Sequence, residues 1–337
     1  MNRLRGRGAV LLVFMCALGS AAPLTAHAQT PVVLPAGDAP VVRVIMRSGT
    51  LTIRTWNRTD VQVSSLQPVN ARNFKPEAVA RALTGSIPIF ATSIFDPAGP
   101  ITLPQEEFAL TPLAAGPHEG ISIQAADADV TLTLPAGTAF VLANVQRGRI
   151  DVQDYHGTFT LLLHNGPMLL RNVSGTGFAQ VARGQLVVTD SQFDRIRART
   201  AAGNIVFENC NSRQIQVSSV DGTIIYDGGT FQPGLAHFET EYGSVAIGIG
   251  RDAQVGAHSS VGRIYSIVGG SGVRSGQTDA QVGNGHAVVT ASSTHGAIFL
   301  YNGTLRSQPR LPAEWRPLAG FAQRRGAARP PGPGRIH

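Results

Sequence analysis

The sequence contains little cysteine, few aromatic residues and few charges. It has two cysteines in 337 residues, with 6% aromatic and 15% charged residues. Cys16 lies within an apolar N-terminal run, so Cys210 is the one cysteine left if that run is removed, and no disulfide can then form within the chain. Stability therefore has to come from a packed core. No stretch beyond the N-terminal run is long and apolar enough to span a membrane.

The first 28 residues have the pattern of a secretory signal peptide. Three arginines precede an apolar run over residues 9–22, and a cleavage-type sequence, Ala-His-Ala, ends at residue 28. A membrane anchor is the competing interpretation, but Gly19 and Pro23 interrupt the run, which is shorter than the ~20 residues that a span needs. The sequence predicts cleavage before Gln29 and a periplasmic or extracellular protein.

The net charge of +7 is concentrated at the two ends of the chain. Three arginines lie in the predicted signal peptide, and seven lie in residues 306–337, a tail rich in Pro, Arg and Gly that we expect to be disordered. The remaining residues 29–305 carry 18 basic and 20 acidic side chains. This balance argues against a nucleic-acid partner. The tail is either a solvated extension or a contact for anionic polymers.

Five-residue units that begin with glycine recur along the chain from residue 148 onward. Within each unit apolar and polar residues alternate, which is typical of a strand with one buried face. Glycine recurs every nine residues from residue 148 to 184, and the glycine-led strands then follow at intervals of 19 to 21 residues. The units are GRIDV at residue 148, GTFTL at 157, GPMLL at 166, GQLVV at 184, GNIVF at 203, GTIIY at 222, GSVAI at 243 and GRIYS at 262.

This spacing predicts an all-β fold, a parallel β-solenoid (β-helix-like) with about 19 residues per coil. Glycine allows the sharp corners, and the short strands stack their apolar residues into a ladder. An antiparallel sandwich is the alternative, but its hairpin turns are missing. Ile224 is predicted to point inward and Ile225 outward, so that a charge at Ile225 costs little. The predicted ladder is Ile150, Met168, Leu186, Ile205, Ile224, Val245 and Ile264; the predicted opposite wall is Phe159, Phe178, Ile196, Ile215 and Val255.

The solenoid domain is predicted to occupy residues 29–305, with a proline-rich insertion at 66–120. Within the insertion, residues 76–83 fit a short helix that begins at a proline. Before it, Trp56 is expected to cap the first coil. Residues 287–303 are expected to form the last coil.

Two blocks, GTLTIRTWNRTDVQV at residue 49 and VTLTLPAGTAFVLANVQRGRIDV at residue 130, precede the Gly-x-Ile-x-Val units. With these units, residues 41–300 resemble the bacterial "putative adhesin" family. The proline-rich insertion and the arginine tail depart from the family pattern. The resemblance implies a secreted or envelope β-solenoid of unassigned function, and it provides no catalytic residues to transfer.

Carboxylate pairs are the first candidates for chemistry. Residues i and i+2 share one side of a strand, so Asp127 with Asp129 and Glu239 with Glu241 could act as acid and base or hold Ca²⁺. Asp151 with Asp154 is a third pair. A β-helix enzyme places its acids on neighbouring coils, whereas the single aspartates at 190, 227 and 252 share no register position. We therefore expect no catalytic site and a non-enzymatic protein, with solvent-facing or turn carboxylates.

No metal or cofactor site is predicted. The histidines show no metal-binding spacing, and His156 and His164 are expected on opposite faces. Cys210 is expected to be a structural residue at a turn. The glycine-rich stretch GGSGVRSG lacks the residues of a phosphate-binding loop.

The remaining candidate surface is a row of arginines, Arg195, Arg197 and Arg199, which alternate along one strand. Such a row suits extended contact with a polymer or another protein, and it is equally expected of an ordinary solvated face. The sequence therefore predicts a structural or adhesin-like envelope module that binds envelope polysaccharide or another envelope protein. The alternatives are a polysaccharide-active enzyme and a scaffold that self-associates through unpaired strands at its open ends.

Overall fold

The computed structural model describes residues 31–37, 39–74, 120–249, 253–268, 274–277, 279–282 and 286–307. The predicted signal peptide, the predicted helix at 76–83 and residues 308–337 of the predicted tail lie outside this part of the chain. A 3-10 helix lies at Leu305–Ser307. The strands are β1 (Val32–Pro35), β2 (Val41–Trp56), β3 (Asp60–Ser65), β4 (Asn70–Phe74), β5 (Gly120–Asp127), β6 (Val130–Pro135), β7 (Phe140–Gln153), β8 (His156–Asn165), β9 (Met168–Arg171), β10 (Ser174–Arg183), β11 (Leu186–Thr189), β12 (Gln192–Ala202), β13 (Ile205–Glu208), β14 (Asn211–Asp221), β15 (Ile224–Asp227), β16 (Thr230–Tyr242), β17 (Val245–Ile249), β18 (Ala253–Ser259), β19 (Ile264–Ser266), β20 (Arg274–Gln277), β21 (Asp279–Val282), β22 (Ala287–Ser293) and β23 (Ile298–Asn302).

Each central coil consists of a long strand, a corner, a short strand and a second corner. In the coil at residues 156–171, β8 is the long strand, Gly166 forms the corner and β9 is the short strand. β8 pairs in parallel with β10, and β9 pairs in parallel with β11, so that each coil lies directly on the next. The predicted parallel β-solenoid is therefore confirmed, with register partners of the short strands 18 or 19 residues apart.

The apolar ladder of the short strands lies inside the solenoid as predicted from Ile150 to Val245. Ile150 pairs with Met168, and the register continues through Leu186, Ile205 and Ile224. All of these side chains are buried in one core cluster. Burial of each such side chain contributes roughly 1.5–3 kcal/mol, so the continuous ladder supplies much of the stability that disulfides cannot.

The opposite wall departs from the prediction at Phe178. Gly177 is the register partner of both Phe159 and Ile196, and Phe178 points outward. A Cβ built at Gly177 would lie 2.0 Å from the ring of Phe159, so glycine is required to leave room for that ring. The sequence pattern misplaces Phe178 because a glycine contributes no apolar side chain to the alternation.

The corner glycines approach one another more closely than any side chain permits. Gly203 has a φ of 138°, a conformation that residues with a Cβ rarely adopt. A Cβ there would lie 1.9 Å from the carbonyl oxygen of Gly184, and the same contact recurs at 1.7 Å between Gly166 and Gly148. Both the conformation and the space therefore exclude other residues at these corners.

The last coil in the sequence is not the last coil in space. β22 lies between β16 and β18, and β23 lies between β17 and β19, with parallel pairing on both edges. Val245 therefore pairs with Ile298, and Ile298 pairs with Ile264. The predicted stacking of Ile264 directly on Val245 is wrong, because a coil from later in the chain inserts between them. Val255, on the opposite wall, likewise pairs with Val289 of the inserted coil.

The other end of the solenoid has the same inverted order. β2 pairs in parallel with β5 and β6 on one edge and with β7 on the other. The first coil in the chain, Val41–Trp56, therefore lies between a coil formed by residues 120–135 and the coil at 140–153. At each end, the outermost coil pairs with a coil from which a long connection separates it in the sequence. Residues 120–135 pair with residues 41–56 at one end, and residues 253–266 pair with residues 287–302 at the other.

Antiparallel strands cover the outermost coil at each end. β3 and β4 pair with β6 and β5, and β1 extends this layer by pairing with β3. At the opposite end, β21 and β20 pair with β18 and β19. The outermost parallel coils are therefore not open as expected, but within the described residues β1, β4, β20 and β21 of the covering layers are each paired on one edge only. Trp56 is not the cap: its indole Nε1 donates to the carbonyl oxygen of Asp60 at 2.8 Å and holds the turn between β2 and β3.

A charge on the inner ladder is expected to be far more costly than one on the outer surface. Ile224→Asp should lower the free energy of unfolding by at least about 3 kcal/mol, because it leaves an unpaired carboxylate in the core. Ile225 points outward as predicted, but it is 4% exposed and packs with Ala246 and Leu305 in a second cluster, so it is not a neutral control. Gln214→Asp, at an exposed position of the same coil, is the control, and urea unfolding measures both. Equal losses would contradict the assignment of Ile224 to the core.

Alanine at a corner glycine is expected to destabilise the solenoid. Gly203→Ala should cost about 1–3 kcal/mol from backbone strain alone, in addition to the clash with Gly184. Gly256, within β18, has nothing within 4 Å of a built Cβ, so Gly256→Ala is the matched control and should leave stability nearly unchanged. Thermal and urea unfolding of both variants check this; similar midpoints would show that the close corner contact is not needed.

Candidate functional site

The aspartates at 127 and 129 are engaged in contacts with the adjacent coil. Asp127 forms an ion pair with Arg47 and accepts a hydrogen bond from the Ser48 hydroxyl. The hydrogen bond from Arg47 is the main reason that the pKa of Asp127 is lowered. Asp129 accepts a hydrogen bond from the backbone N–H of Thr50 at 2.7 Å. These two carboxylates therefore join neighbouring coils through separate partners.

Asp151 and Asp154 likewise form hydrogen bonds with separate partners. Asp151 accepts hydrogen bonds from Arg149 at 2.8 Å and from Gln153 at 3.1 Å along its own strand. Asp154 lies at the second corner of its coil with a φ of 54°. Its Oδ1 accepts a hydrogen bond from the side-chain amide of Asn172 at 2.6 Å.

Asp154 begins a ladder of acid and amide side chains that the sequence analysis missed. Asn172, Asp190 and Asn209 occupy the same corner of the next coils, each with a φ between 51° and 54°. Asn209 donates to Asp190 at 3.1 Å, as Asn172 does to Asp154. Asn and Asp tolerate this left-handed conformation better than other residues with a Cβ. The sequence analysis compared only carboxylates between coils. It missed this shared corner position because aspartate and asparagine alternate there from one coil to the next.

Asp227 is buried and has a structural role. Its Oδ1 accepts hydrogen bonds from the Tyr301 hydroxyl at 3.0 Å and from the backbone N–H of Leu305 at 2.8 Å. Burial raises the pKa of Tyr301, so its hydroxyl stays protonated and remains a donor. These bonds fasten the inserted coil and the 3-10 helix to β15. Asp252, the third single aspartate, lies outside the described residues.

The arginine row lies on the outer surface of the long strands, as predicted. Arg195, Arg197 and Arg199 alternate with buried Ile196 and Ala198 along β12. Next to them lie the outward side chains of β14, β16 and β22 in parallel register. We call this surface the polar face; it comprises the outward side chains within residues 195–199, 214–218, 235–239 and 288–292.

Part of the polar face forms a pocket of about 420 Å³. The guanidinium Nε of Arg195 donates to Gln214 Oε1 at 2.8 Å, and Arg197 makes the same contact with Gln216. Leu235 and His237 of the next strand complete the outward lining. The side chains of two coils therefore hold the first two arginines in place and direct them along the solenoid axis.

A second pocket of about 480 Å³ adjoins the end of the row. Arg199 lines it together with Ser218, Glu239 and Glu241. The predicted placement of both glutamates on one side of their strand is therefore correct. His237 lies 3.5 Å from Glu239, between the two pockets. The structure thus brings together the arginine row and a carboxylate pair that the sequence analysis treated separately.

An aromatic pair lies next to the second pocket. Tyr242, which is 50% exposed, stacks on His295 with ring centroids 4.6 Å apart. The backbone N–H of His295 donates to the carbonyl oxygen of Glu241 at 2.9 Å, which places the pair beside the lining of the pocket. Sequence reasoning had no signal for this pair, because its two residues come from β16 and from the inserted coil.

The polar face has a sharp boundary at β12. On the neighbouring β10, outward Phe178 is only 2% exposed, although it is the register partner of Arg197. Outward Leu162 on β8 and Leu142 on β7 are each 4% exposed. The accessible part of this surface therefore begins at the arginine row.

The histidines at 156 and 164 both belong to β8 and face the same side, so their predicted placement on opposite faces is wrong. The strand is ten residues long and carries both of them before the chain turns.

Over the described ranges, no group of three or more His, Cys, Asp and Glu side chains is arranged to hold a metal ion. No helix within these ranges is long and apolar enough to cross a membrane.

Comparison with known proteins gives little further information. No family model matches the chain, and no curated protein matches it. Among solved structures, one that matches is described as a "putative cell adhesion protein" from Clostridium sporogenes, with 9% identity over 81% of this chain and 99% of that chain. Its TM-score is 0.23, too low to support an argument about fold or function. Membership of the family that the sequence resembles therefore remains a prediction.

Cys210 is fully buried, and its thiol contacts the carbonyl oxygen of Glu208 at 3.3 Å. Burial raises the pKa of Cys210 to about 12, so almost no thiolate forms at neutral pH. In protein that lacks the predicted signal peptide and with it Cys16, we expect no reaction of Cys210 with a thiol reagent at pH 8 in the folded state and complete reaction in denaturant. A colorimetric thiol assay with and without urea measures this. Fast labelling of the folded protein would contradict a structural role.

Proposed function

We propose that the protein is an exported, non-enzymatic β-solenoid that acts as a structural or adhesin-like module of a bacterial envelope. In this proposal the polar face binds envelope polysaccharide or another envelope protein, and the protein works in the periplasm or outside the cell. One observation carries the proposal: the polar face is a continuous outer sheet surface on which two adjoining pockets follow one another along the strands, and each pocket spans several coils.

The geometry of this surface suits an extended partner. Four parallel strands at the ~4.8 Å spacing of a sheet make it roughly 15 Å across. Arginine and glutamine side chains offer donors, and Glu239 and Glu241 offer acceptors, so hydroxyl and carboxylate groups of a polymer both find complementary partners. The exposed ring of Tyr242 adds an apolar surface on which a sugar ring can stack.

A polysaccharide-active enzyme is the second candidate, because Glu239 and Glu241 line one pocket with Arg199. Glycoside hydrolysis needs a carboxylic acid whose pKa is raised, commonly by burial in an apolar pocket. Both glutamates are exposed, which favours binding over catalysis. The two functions differ in a measurable product, since only the enzyme releases new sugar ends.

Binding is tested by incubating the purified protein with insoluble cell-wall polysaccharide and measuring both the pelleted protein and the released sugar ends. We expect pelleting without release. The double variant Arg195→Ala/Arg197→Ala should weaken binding about tenfold or more, since loss of two charge-assisted hydrogen bonds costs more than ~1.4 kcal/mol.

The control for this measurement is Arg54→Ala/Arg171→Ala, which removes two exposed arginines that lie outside the polar face. This variant should bind as the wild-type protein does. Equal weakening by both double variants would indicate a general charge effect and would reject the polar face as the site. Release of sugar ends that Glu239→Gln or Glu241→Gln abolishes would establish the enzyme instead.

A further inference from the structure

The outward side chains of the short strands form a continuous apolar row. The register of this row runs from Leu169 on β9 to Tyr265 on β19 and crosses seven strands. Asp151, the register partner before Leu169, is polar, and so are Arg171 and Glu208 in the next outward row. We call the apolar row the outer stripe; it comprises Leu169, Val187, Val206, Ile225, Ala246, Phe299 and Tyr265.

Much of the outer stripe is buried, although it points away from the main core. Phe299 is 0% exposed, Val187 is 2% exposed and Tyr265 is 9% exposed. Strands with apolar side chains on both faces need a covering layer on both. On the outer side, Leu305 is the only described member of the second cluster that comes from beyond the last strand. One side chain covers only part of a stripe that is roughly 29 Å long at ~4.8 Å per strand.

The described part of the chain stops beside this stripe. Leu305 belongs to one cluster with Ile225 and Ala246, which lie in the middle of the stripe. Its backbone N–H donates to Asp227 at 2.8 Å and fixes its position on β15. Two more residues are described, so the rest of the chain starts within about 11 Å of Leu305. A cover formed by this part of the chain therefore needs no long connection.

The sequence that follows has the composition and the length of such a cover. Residues 322–335 contain only Ala, Gly, Pro, Gln and Arg, whereas the preceding residues are rich in large apolar side chains. An extended chain from residue 311 to 321 spans roughly 33 Å, which is similar to the length of the stripe. Prolines at 309, 312 and 317 favour an extended chain and provide no N–H for a sheet, which suits a segment that crosses a sheet face. The large apolar residues of this segment are Leu311, Trp315, Leu318 and Phe321.

We propose that residues 308–321 of the same chain cover the outer stripe, with Trp315 packed against it. This proposal limits the expected disorder of the tail to residues 322–337. The stripe crosses β17, β23 and β19, so a segment packed on it would also hold the inserted coil against its neighbours. The proposal concerns a surface formed by the short strands and is independent of the proposed polysaccharide binding.

Tryptophan fluorescence of the full chain tests this contact. Trp56 and Trp315 are the two tryptophans, so Trp56→Phe leaves Trp315 as the only reporter. We expect the emission of Trp315 to be blue-shifted in the folded protein, and its quenching by acrylamide to be severalfold weaker than in urea. Quenching in native buffer that equals quenching in urea would overturn the proposal.

Substitutions on the stripe locate the contact. Val206 and Ile267 are only partly buried and pack against opposite sides of the second cluster, so glutamate at either position leaves the main core intact. In the Trp56→Phe background, Val206→Glu or Ile267→Glu should release Trp315 and strengthen its quenching severalfold. Val288→Glu, at a 47% exposed position of the polar face, is the matched control and should leave quenching unchanged. Unchanged quenching in both stripe variants would reject the stripe as the contact.

Stability of full-length variants gives a second test. Trp315→Ser/Leu318→Ser should lower the thermal midpoint by about 5 °C or more, because two large apolar side chains lose their buried contacts. The same variant should bind a hydrophobic dye severalfold more strongly. Arg324→Ser/Arg325→Ser, in the distal tail, is the control and should change neither value. Equal midpoints for the two double variants would contradict the proposal.

Other occupants of the stripe give distinct results. Protection of Trp315 that disappears on dilution, together with a dimer in sedimentation, would place residues 308–321 on a second copy and reject the contact within one chain. A fully quenched Trp315 in a protein that still excludes the dye would assign the cover to another segment and would also overturn the proposal.

Discussion

The close approach of backbone at the glycine corners is the constraint on which the rest of the solenoid depends. At each corner a carbonyl oxygen lies where the next glycine would carry a Cβ, as Gly184 does beneath Gly203. This contact fixes the register of one coil on the next, and the register then aligns the apolar ladder on the inside. The same alignment places Arg195 above Gln214 and Arg197 above Gln216 on the outside. Core and polar face therefore follow from one backbone arrangement.

Much of the fold could be predicted from the sequence, because glycine spacing and period-2 alternation are local signals. The central ladder from Ile150 to Ile224 has the predicted register. The errors arise where a local pattern does not determine which residue of the adjacent strand a side chain stacks on. Gly177 hides an inward position, and Ile264 has the right spacing for Val245 but pairs with Ile298. Insertion of one coil between two others leaves no local trace in the sequence.

The candidate site was less predictable than the fold. The alternation along β12 correctly placed its arginines on the outside, but the pattern could not show that outward Phe178 on the adjacent strand is buried. Nor could it bring Arg199 together with Glu239, since the two residues are 40 positions apart and meet only through stacking. Tyr242 and His295 meet through the inserted coil. Outer positions of a solenoid are under weak packing constraint, so their residue types carry little information about one another.

The inverted order of coils at both ends has a mechanical consequence. A pulling force that enters the solenoid at Val41 or at Asn302 acts on a strand with a bonded neighbour on each edge. An outermost strand in simple chain order would peel away one hydrogen bond at a time, whereas these strands must break two ladders together. The layout therefore resists unravelling under tension better than a solenoid whose first and last coils are also its outer ones, and it carries load into the interior of the stack.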